Sequence, residues 1–287
     1  MTDDAFLEVD GLVVDYPVAH GTFRAVDDVS FTVRKGGTLA IVGESGCGKS
    51  TIARSIVRLV KPTAGRIVVG GTDIAGLSEK QLRPMRTRVQ MIFQDPYGSL
   101  DPHLSAAEIV AEPLRVRGMR DRRARAKEAA RLIDQVGLPA TALERRPPEF
   151  SGGQRQRIGI ARALASQPDL LVCDEATSAL DVSVQAQVLA LLMKIQAETG
   201  LTYVVISHNL GVVREISEDI IVMSKGRLVE SGPTRKVLAA PAHPYTRALR
   251  RAALDPSAIR GRKPRELVRA PSTKQSPGTP VQRGTDR

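Results

Sequence analysis

The 287-residue sequence predicts an α/β fold in which a β-rich lobe opens the chain and a helical lobe interrupts the core. Three observations carry that expectation. Short apolar runs bounded by Gly, Pro and Asp turns occupy the first third and return past residue 170. A long stretch of helical periodicity lies between them. Between two of the early runs sits Gly43-Glu44-Ser45-Gly46-Cys47-Gly48-Lys49-Ser50-Thr51, whose glycines, lysine and hydroxyls suit a loop that wraps the phosphates of a nucleotide.

Taken in order, Leu7 to Tyr16, Ala25 to Val33, Thr38 to Val42, Arg66 to Val69 and Arg88 to Phe93 read as strands. Thr38 to Val42 is apolar enough for a buried strand, and after the loop Ile52, Ile56 and Leu59 recur at helical spacing. In a strand-loop-helix of this kind the loop N–H groups point inward and the helix N-terminus is electropositive. Lys49 then reaches the β- and γ-phosphates while the Ser50 hydroxyl ligates Mg²⁺. A helix terminus is worth about 0.3–1 kcal/mol, whereas losing a directed charge stabiliser costs ~10²–10³ in rate, so Lys49 should matter more than the dipole. From Ser105 to Ala165 the period turns helical: Ala129, Leu132, Ile133 and Val136 share a face, Asp121 suits its N-cap and Gly137 its end. Strand signals return at Leu170 to Cys173, Thr202 to Ser207 and Asp219 to Met223, with Val184, Val188, Leu191 and Ile195 marking a helix between the first two. Beyond Leu254 the chain is rich in Pro, Ser, Thr, Gly, Arg and Lys without apolar periodicity, which reads as a basic, flexible tail over 255–287.

Composition narrows the class. The start is acidic, no apolar leader follows it, and no stretch approaches the ~20 apolar residues of a membrane span, so a cytosolic location is expected. Cys47 and Cys173 lack metal-ligand spacing, and no disulfide is expected. Net charge is +11, concentrated between Arg115 and Arg131 and in the tail from Arg250 onward. Aromatics for base stacking are scarce and no nucleic-acid motif occurs, so the charge reads as a solvated face and no nucleic-acid partner is expected.

A second constellation is Leu170-Leu171-Val172-Cys173-Asp174-Glu175, a hydrophobic strand ending in paired carboxylates. Two roles need two carboxylates: Asp174 fits the metal-linked one and Glu175, one residue on, the base aimed at the γ-phosphate. Phe150-Ser151-Gly152-Gly153-Gln154 follows the same logic, since a Ser-Gly-Gly turn opening the helix Ile158 to Leu164 presents backbone N–H groups to an anion. Further on come Ser178-Ala179-Leu180-Asp181 and, just after the strand Tyr203 to Ser207, His208.

In order and spacing, these motifs resemble those of ATP-binding cassette proteins from Leu7 to about Leu254. The resemblance implies a P-loop NTPase core of the ABC type with an N-terminal antiparallel β lobe and an inserted helical lobe. It divides the chain into a cassette over 1–254, with the helical lobe at about 95–166, and the tail. It implies ATP and Mg²⁺ as cofactors. Ser151, Gly152, Gly153 and Gln154 become the signature motif, contacting ATP held by a facing cassette, and His208 becomes the switch histidine near the γ-phosphate. Gln94 resembles the lobe-hinge glutamine that senses Mg²⁺ and the attacking water, and Asp181 the residue that connects the two sites of a dimer. Tyr16 is the candidate for stacking on adenine, with Phe23 as its competitor; Cys47 fills a variable loop position, and His20, His103 and His243 are read as ordinary surface or core residues.

Phe93-Gln94-Asp95-Pro96-Tyr97-Gly98-Ser99-Leu100-Asp101-Pro102 and His243-Pro244-Tyr245-Thr246-Arg247-Ala248-Leu249 look like the peptide/nickel group of bacterial importers. That group implies an ATPase subunit at the cytoplasmic face of the inner membrane. Its expected partners are two transmembrane permease subunits and a second cassette, preferably in a heterodimer although a homodimer is possible, with an extracytoplasmic solute-binding protein acting indirectly. Dipeptide or oligopeptide import is the expectation, nickel or a related solute its alternative, and a soluble cassette acting on nucleic acid the rival class.

Overall fold

The computed structural model describes residues 5–95, 97–178 and 180–254. The tail expected over 255–287, the acidic first four residues, Pro96 and Ala179 lie outside the described residues. In chain order the elements are β1 Ala5–Val18, β2 Gly21–Arg34, β3 Thr38–Gly43, α1 Lys49–Ile56, β4 Ala64–Val69, β5 Thr72–Asp73, α2 Glu79–Arg88 and β6 Val89–Ile92. The helices α3 Ala106–Val116, α4 Arg122–Gln135 and α5 Gly152–Ala165 come next. The chain then returns to alternation: β7 Leu170–Asp174, α6 Val182–Thr199, β8 Thr202–Ile206, α7 Leu210–Ile216, β9 Asp219–Ser224, β10 Arg227–Pro233, α8 Thr234–Ala239 and α9 Pro244–Leu254.

Two sheets divide this material. The antiparallel sheet runs β2-β1-β4-β5; along β1 the side chains of Leu7, Val9, Leu12 and Val14 are buried while Glu8, Asp10, Val13 and Asp15 are at least partly exposed, as expected of a sheet wet on one face. The second sheet runs β10-β9-β3-β8-β7-β6, parallel from β9 to β6 with β10 as an antiparallel edge. Its inner strands β3, β7 and β8 are buried at every position, which is why they read in sequence as unbroken apolar runs rather than alternating ones.

The core has three parts. Ile52 and Ile56 of α1 pack with the antiparallel sheet and one face of the parallel sheet, while Leu132, Ile133, Ile158 and Leu192 join the helical lobe to the other face. A smaller cluster of Ala40, Val42, Leu210, Val213, Ile220, Val222, Val237 and Tyr245 packs β3 and β9 against α7, α8 and α9. The lobe helices end where their residues dictate. Asp121 caps α4 by accepting the Arg123 N–H, Gly137 leaves it with φ of 73°, and Ser105 caps α3 by accepting the Glu108 N–H.

Leu59 departs from its expected face. The helix after the phosphate loop stops at Ile56 because Arg58 turns left-handed, φ 55°, to donate to the Ile74 and Leu77 carbonyls, and Leu59 is left 54% exposed. The arginines between 115 and 131 are used locally: Arg125 donates to the Met119 and Arg120 carbonyls, Arg117 to that of Ala165, and Arg131 pairs with Glu128 at 2.7 Å.

Candidate active site

The buried strand β3 ends at Gly43, whose φ is 152°, and the loop turns on Gly46 and Gly48 at 80° and 106°. Gly43 and Gly48 have little room for another residue. A Cβ on Gly43 would lie 2.3 Å from the Met223 carbonyl oxygen, and one on Gly48 2.5 Å from that of Ala25. The Cys47 side chain is buried against Gly43, which fits a small space-filler; burial pushes its thiol up. Ser45 and Gly46 are exposed at the crest, so the phosphate loop is an open surface rather than a closed cavity.

Lys49 begins α1, 5% exposed, and its ammonium donates to the Gly43 carbonyl at 2.9 Å and the Glu44 carbonyl at 2.8 Å. An ammonium folded onto two carbonyls is held where it can exchange them for phosphate oxygens. Beside it the Ser50 hydroxyl donates to Asp174 Oδ1 at 2.9 Å, joining the start of α1 to the end of β7. Burial pushes the Asp174 carboxyl above the usual carboxylate range, against the opposing pull of the Ser50 hydrogen bond and the Arg54 and Lys49 charges. A buried carboxylate beside a hydroxyl fits a cation: it lacks a full counter-charge, and both groups offer oxygens. Among the described residues no group of three or more His, Cys, Asp or Glu gathers as a metal cage, and Mg²⁺ needs none, since it takes one or two protein oxygens together with phosphates and waters. Ser50 and Asp174 are therefore the residues that would hold it.

Glu175 follows Asp174 but turns away from it. Its φ is 47°, in the left-handed region that costs a non-glycine residue about 1 kcal/mol or more, and its N–H donates to the Ile206 carbonyl at 3.0 Å. The turn aims the carboxylate at two groups: Gln94 Nε2 donates to Glu175 Oε2 at 3.0 Å, and His208 Nδ1 lies 3.4 Å from the same oxygen. A cavity of about 50 Å³, lined by Glu175, Thr177, Ser178, Gln185, Ser207, His208 and Asn209, is the size of a water or two. Gln94, expected to sense both Mg²⁺ and the attacking water, thus meets the catalytic-base candidate directly. A second cavity that His208 borders, of about 580 Å³, is lined from α7, α8 and α9 by Leu210, Leu238 and Ala253 together with Arg214, Arg235 and Arg250.

Two further features adjoin each other. Ser151 caps α5 in a closed pair with Gln154: the Ser151 N–H donates to Gln154 Oε1 at 3.0 Å and Ser151 Oγ accepts the Gln154 N–H at 3.4 Å. Asp181 caps α6 by accepting the Val184 N–H at 2.9 Å. Gly153 makes the contact possible, since a Cβ there would lie 2.3 Å from Val184 Cγ1, whereas one on Gly152 would sit in ordinary contact 3.6 Å from Leu180. Tyr16 and Phe23 are cross-strand partners of the β1–β2 hairpin and share a face; Tyr16 is half-buried against the core and Phe23 is 55% exposed. Sequence spacing could not order these two, because the hairpin register brings them side by side.

Other residues of the site carried no signal as site residues. The Arg155 guanidinium lies 3.8 Å from the centre of the Tyr97 ring, tying the start of α5 to the segment after Gln94, and Arg162 donates to the Ser99 carbonyl in the same segment. The Tyr245 hydroxyl accepts the Glu44 N–H of the phosphate loop at 3.0 Å. Tyr97 and Tyr245 stand in the two stretches that marked a subgroup, but nothing in their spacing indicates contacts across 58 and 201 positions.

Known proteins carry similar sequences and folds. A family described as ABC transporter matches residues 26–178, and one described as oligopeptide/dipeptide transporter, C-terminal region, matches residues 229–279. A probable peptide ABC transporter ATP-binding protein of Sinorhizobium fredii, y4tS, is 53% identical over 266 residues, covering 90% of this chain and 75% of its own length. The oligopeptide transport ATP-binding protein AppF of Bacillus subtilis is 47% identical over 254 residues, covering 86% of this chain and 77% of its own. Among solved structures, the dimeric ATP-binding cassette MJ0796 bound to ADP and Pi superposes with a TM-score of 0.74 at 31% identity, covering 80% of this chain and 99% of that one.

Proposed function

The chain belongs to the ABC transporter family, and on that premise we propose that it binds and hydrolyses ATP to power the import of peptides. The observation that carries the reading is the convergence of Gln94 and His208 on one oxygen of Glu175, next to the Ser50–Asp174 pair. In this reading Lys49 and the loop N–H groups bind the phosphates, and Ser50 and Asp174 would hold Mg²⁺, which would supply charge neutralisation to the phosphates. Glu175 accepts a proton from the attacking water while Gln94 and His208 keep its carboxylate oriented. Tyr16, with Phe23 beside it, forms the wall for adenine. Ser151 to Gln154 and Asp181 face a second cassette, which the adjoining caps of α5 and α6 support.

The peptide class rests on the relatives' names and on the C-terminal match over residues 229–279. No described helix is long and apolar enough to cross a membrane. We place this subunit at the cytoplasmic face of the inner membrane against two permeases, paired with a second cassette that is preferably a different chain, while a solute-binding protein selects the cargo outside. The test is Glu175→Gln, which preserves size and the contacts to Gln94 and His208. ATP affinity should stay within about two-fold while steady-state hydrolysis falls by at least ~10²-fold. Hydrolysis surviving in the variant would remove Glu175 from the base role.

A further inference from the structure

Tyr245 touches the phosphate loop from behind. It lies in the first turn of α9, 5% exposed, with its ring in the cluster that includes Val42 of β3 and Val222 of β9. Its hydroxyl accepts the Glu44 N–H at 3.0 Å. The carbonyl of the same peptide unit, Gly43 O, accepts the Lys49 ammonium at 2.9 Å. In a planar trans peptide the C=O and N–H point in opposite directions. One rigid plate is thus held by Lys49 on one edge and by Tyr245 on the other, and any rotation that freed the Glu44 N–H would also turn the carbonyl away from Lys49.

We infer that Tyr245 is a positioning residue for nucleotide binding, fixing the Gly43–Glu44 peptide and through it the site of Lys49. The inference rests on the ATP-site reading above. Its weight falls on the bound state: once Lys49 leaves its two carbonyls for phosphate oxygens, the Tyr245 hydroxyl remains an anchor on the N–H edge of the plate. The tyrosine is itself well placed to anchor. The N–H groups of Ala242 and His243 donate to the two oxygens of Glu230 on β10 at 2.8 and 3.0 Å, and the Tyr245 N–H donates to His243 Nδ1 at 3.2 Å. Burial pushes the phenol up to about 12, so it remains a neutral hydroxyl at physiological pH. A buried tyrosine can also be mere filler, and that alternative differs in one respect: filler needs the ring and not the oxygen.

The experiment therefore removes the oxygen alone. In the full-length chain, Tyr245→Phe should raise the ATP Kd by about 2- to 10-fold, the effect of losing one net hydrogen bond of ordinary strength. The Glu44 amide should exchange slowly with solvent in the nucleotide-free wild type and faster in the variant. Wild-type ATP affinity in Tyr245→Phe, with weakening only in Tyr245→Leu, would reduce the residue to packing and overturn the inference. So would rapid exchange of the Glu44 amide in the wild type, a measurement that needs no variant to fold. If the wild type bound no ATP, the reading of the site would fail, and amide exchange would still decide whether Tyr245 holds the loop.

Discussion

At the scale of single residues, the site sets charge against stability. Asp174 is 3% exposed, and burial raises its carboxyl above the ordinary range. Between the ordinary carboxylate pKa and the raised one, the folded protein holds a proton that the unfolded chain has released, so nucleotide-free stability falls as pH rises through that window. Above it the protein carries an ionised carboxylate under partial desolvation. Asp174→Asn should therefore raise the thermal midpoint of the nucleotide-free protein at neutral pH by about 2–4 °C, roughly 1 kcal/mol, and flatten the decline from acid to neutral pH. The same change should abolish Mg²⁺-dependent hydrolysis. Thermal melts across pH with chelator present check this, and a lowered midpoint at neutral pH would show that the Ser50, Arg54 and Lys49 interactions outweigh the burial. The adjacency of Asp174 and Glu175 was legible in the sequence, but their divergence was not. It depends on Glu175 adopting φ of 47°, a conformation no hydrophobic pattern encodes, and that turn is what delivers its carboxylate to Gln94 and His208.

Among elements, periodicity revealed those that bury a continuous face and missed those held by their neighbours. Strands β3, β7 and β8 and helices α4 and α6 were visible because every inner position is apolar or a stripe repeats at helical spacing. Helix α2 was hidden by Pro84 in its interior, a residue that ordinarily ends a helix, α7 and α8 are too short to show a helical period, and the edge strand β10 buries no face that could alternate. The contact between α5 and α6 was equally hidden, since a glycine pair before a helix reads as an anion turn and says nothing about what passes behind it. Gly153 is buried, and a Cβ there would sit 2.3 Å from Val184 Cγ1. Gly153→Ala should thus push α5 from the start of α6 and destabilise the fold by about 1–3 kcal/mol through overpacking. Adding Val184→Ala should restore much of that loss, because the clash is with one methyl group. Denaturant midpoints of the two single variants and the double variant test the pair; strictly additive losses would mean the two residues do not meet.

For the whole molecule, the proposed function makes the arrangement an open half-site. The crest of the phosphate loop is exposed at Ser45 and Gly46, Ser151 and Asp181 are exposed at their caps, and Val182 between Asp181 and the Gly153 contact is an apolar side chain 83% exposed. A facing cassette that covered this surface would bury Val182 and bring a second Ser-Gly-Gly turn onto the phosphates. By linkage, a nucleotide enclosed in that interface favours association by the same free energy with which association favours the nucleotide. The isolated chain should then bind ATP with ordinary affinity but hydrolyse it poorly when dilute. Specific activity should rise with protein concentration or on adding the second cassette of the same transporter, whichever supplies the facing surface. In Glu175→Gln, where turnover no longer removes the ligand, ATP should shift the chain toward dimer by sedimentation, and withdrawing ATP should reverse the shift. Full specific activity from the chain alone, unchanged over a hundred-fold dilution, would mean that one cassette completes its own site.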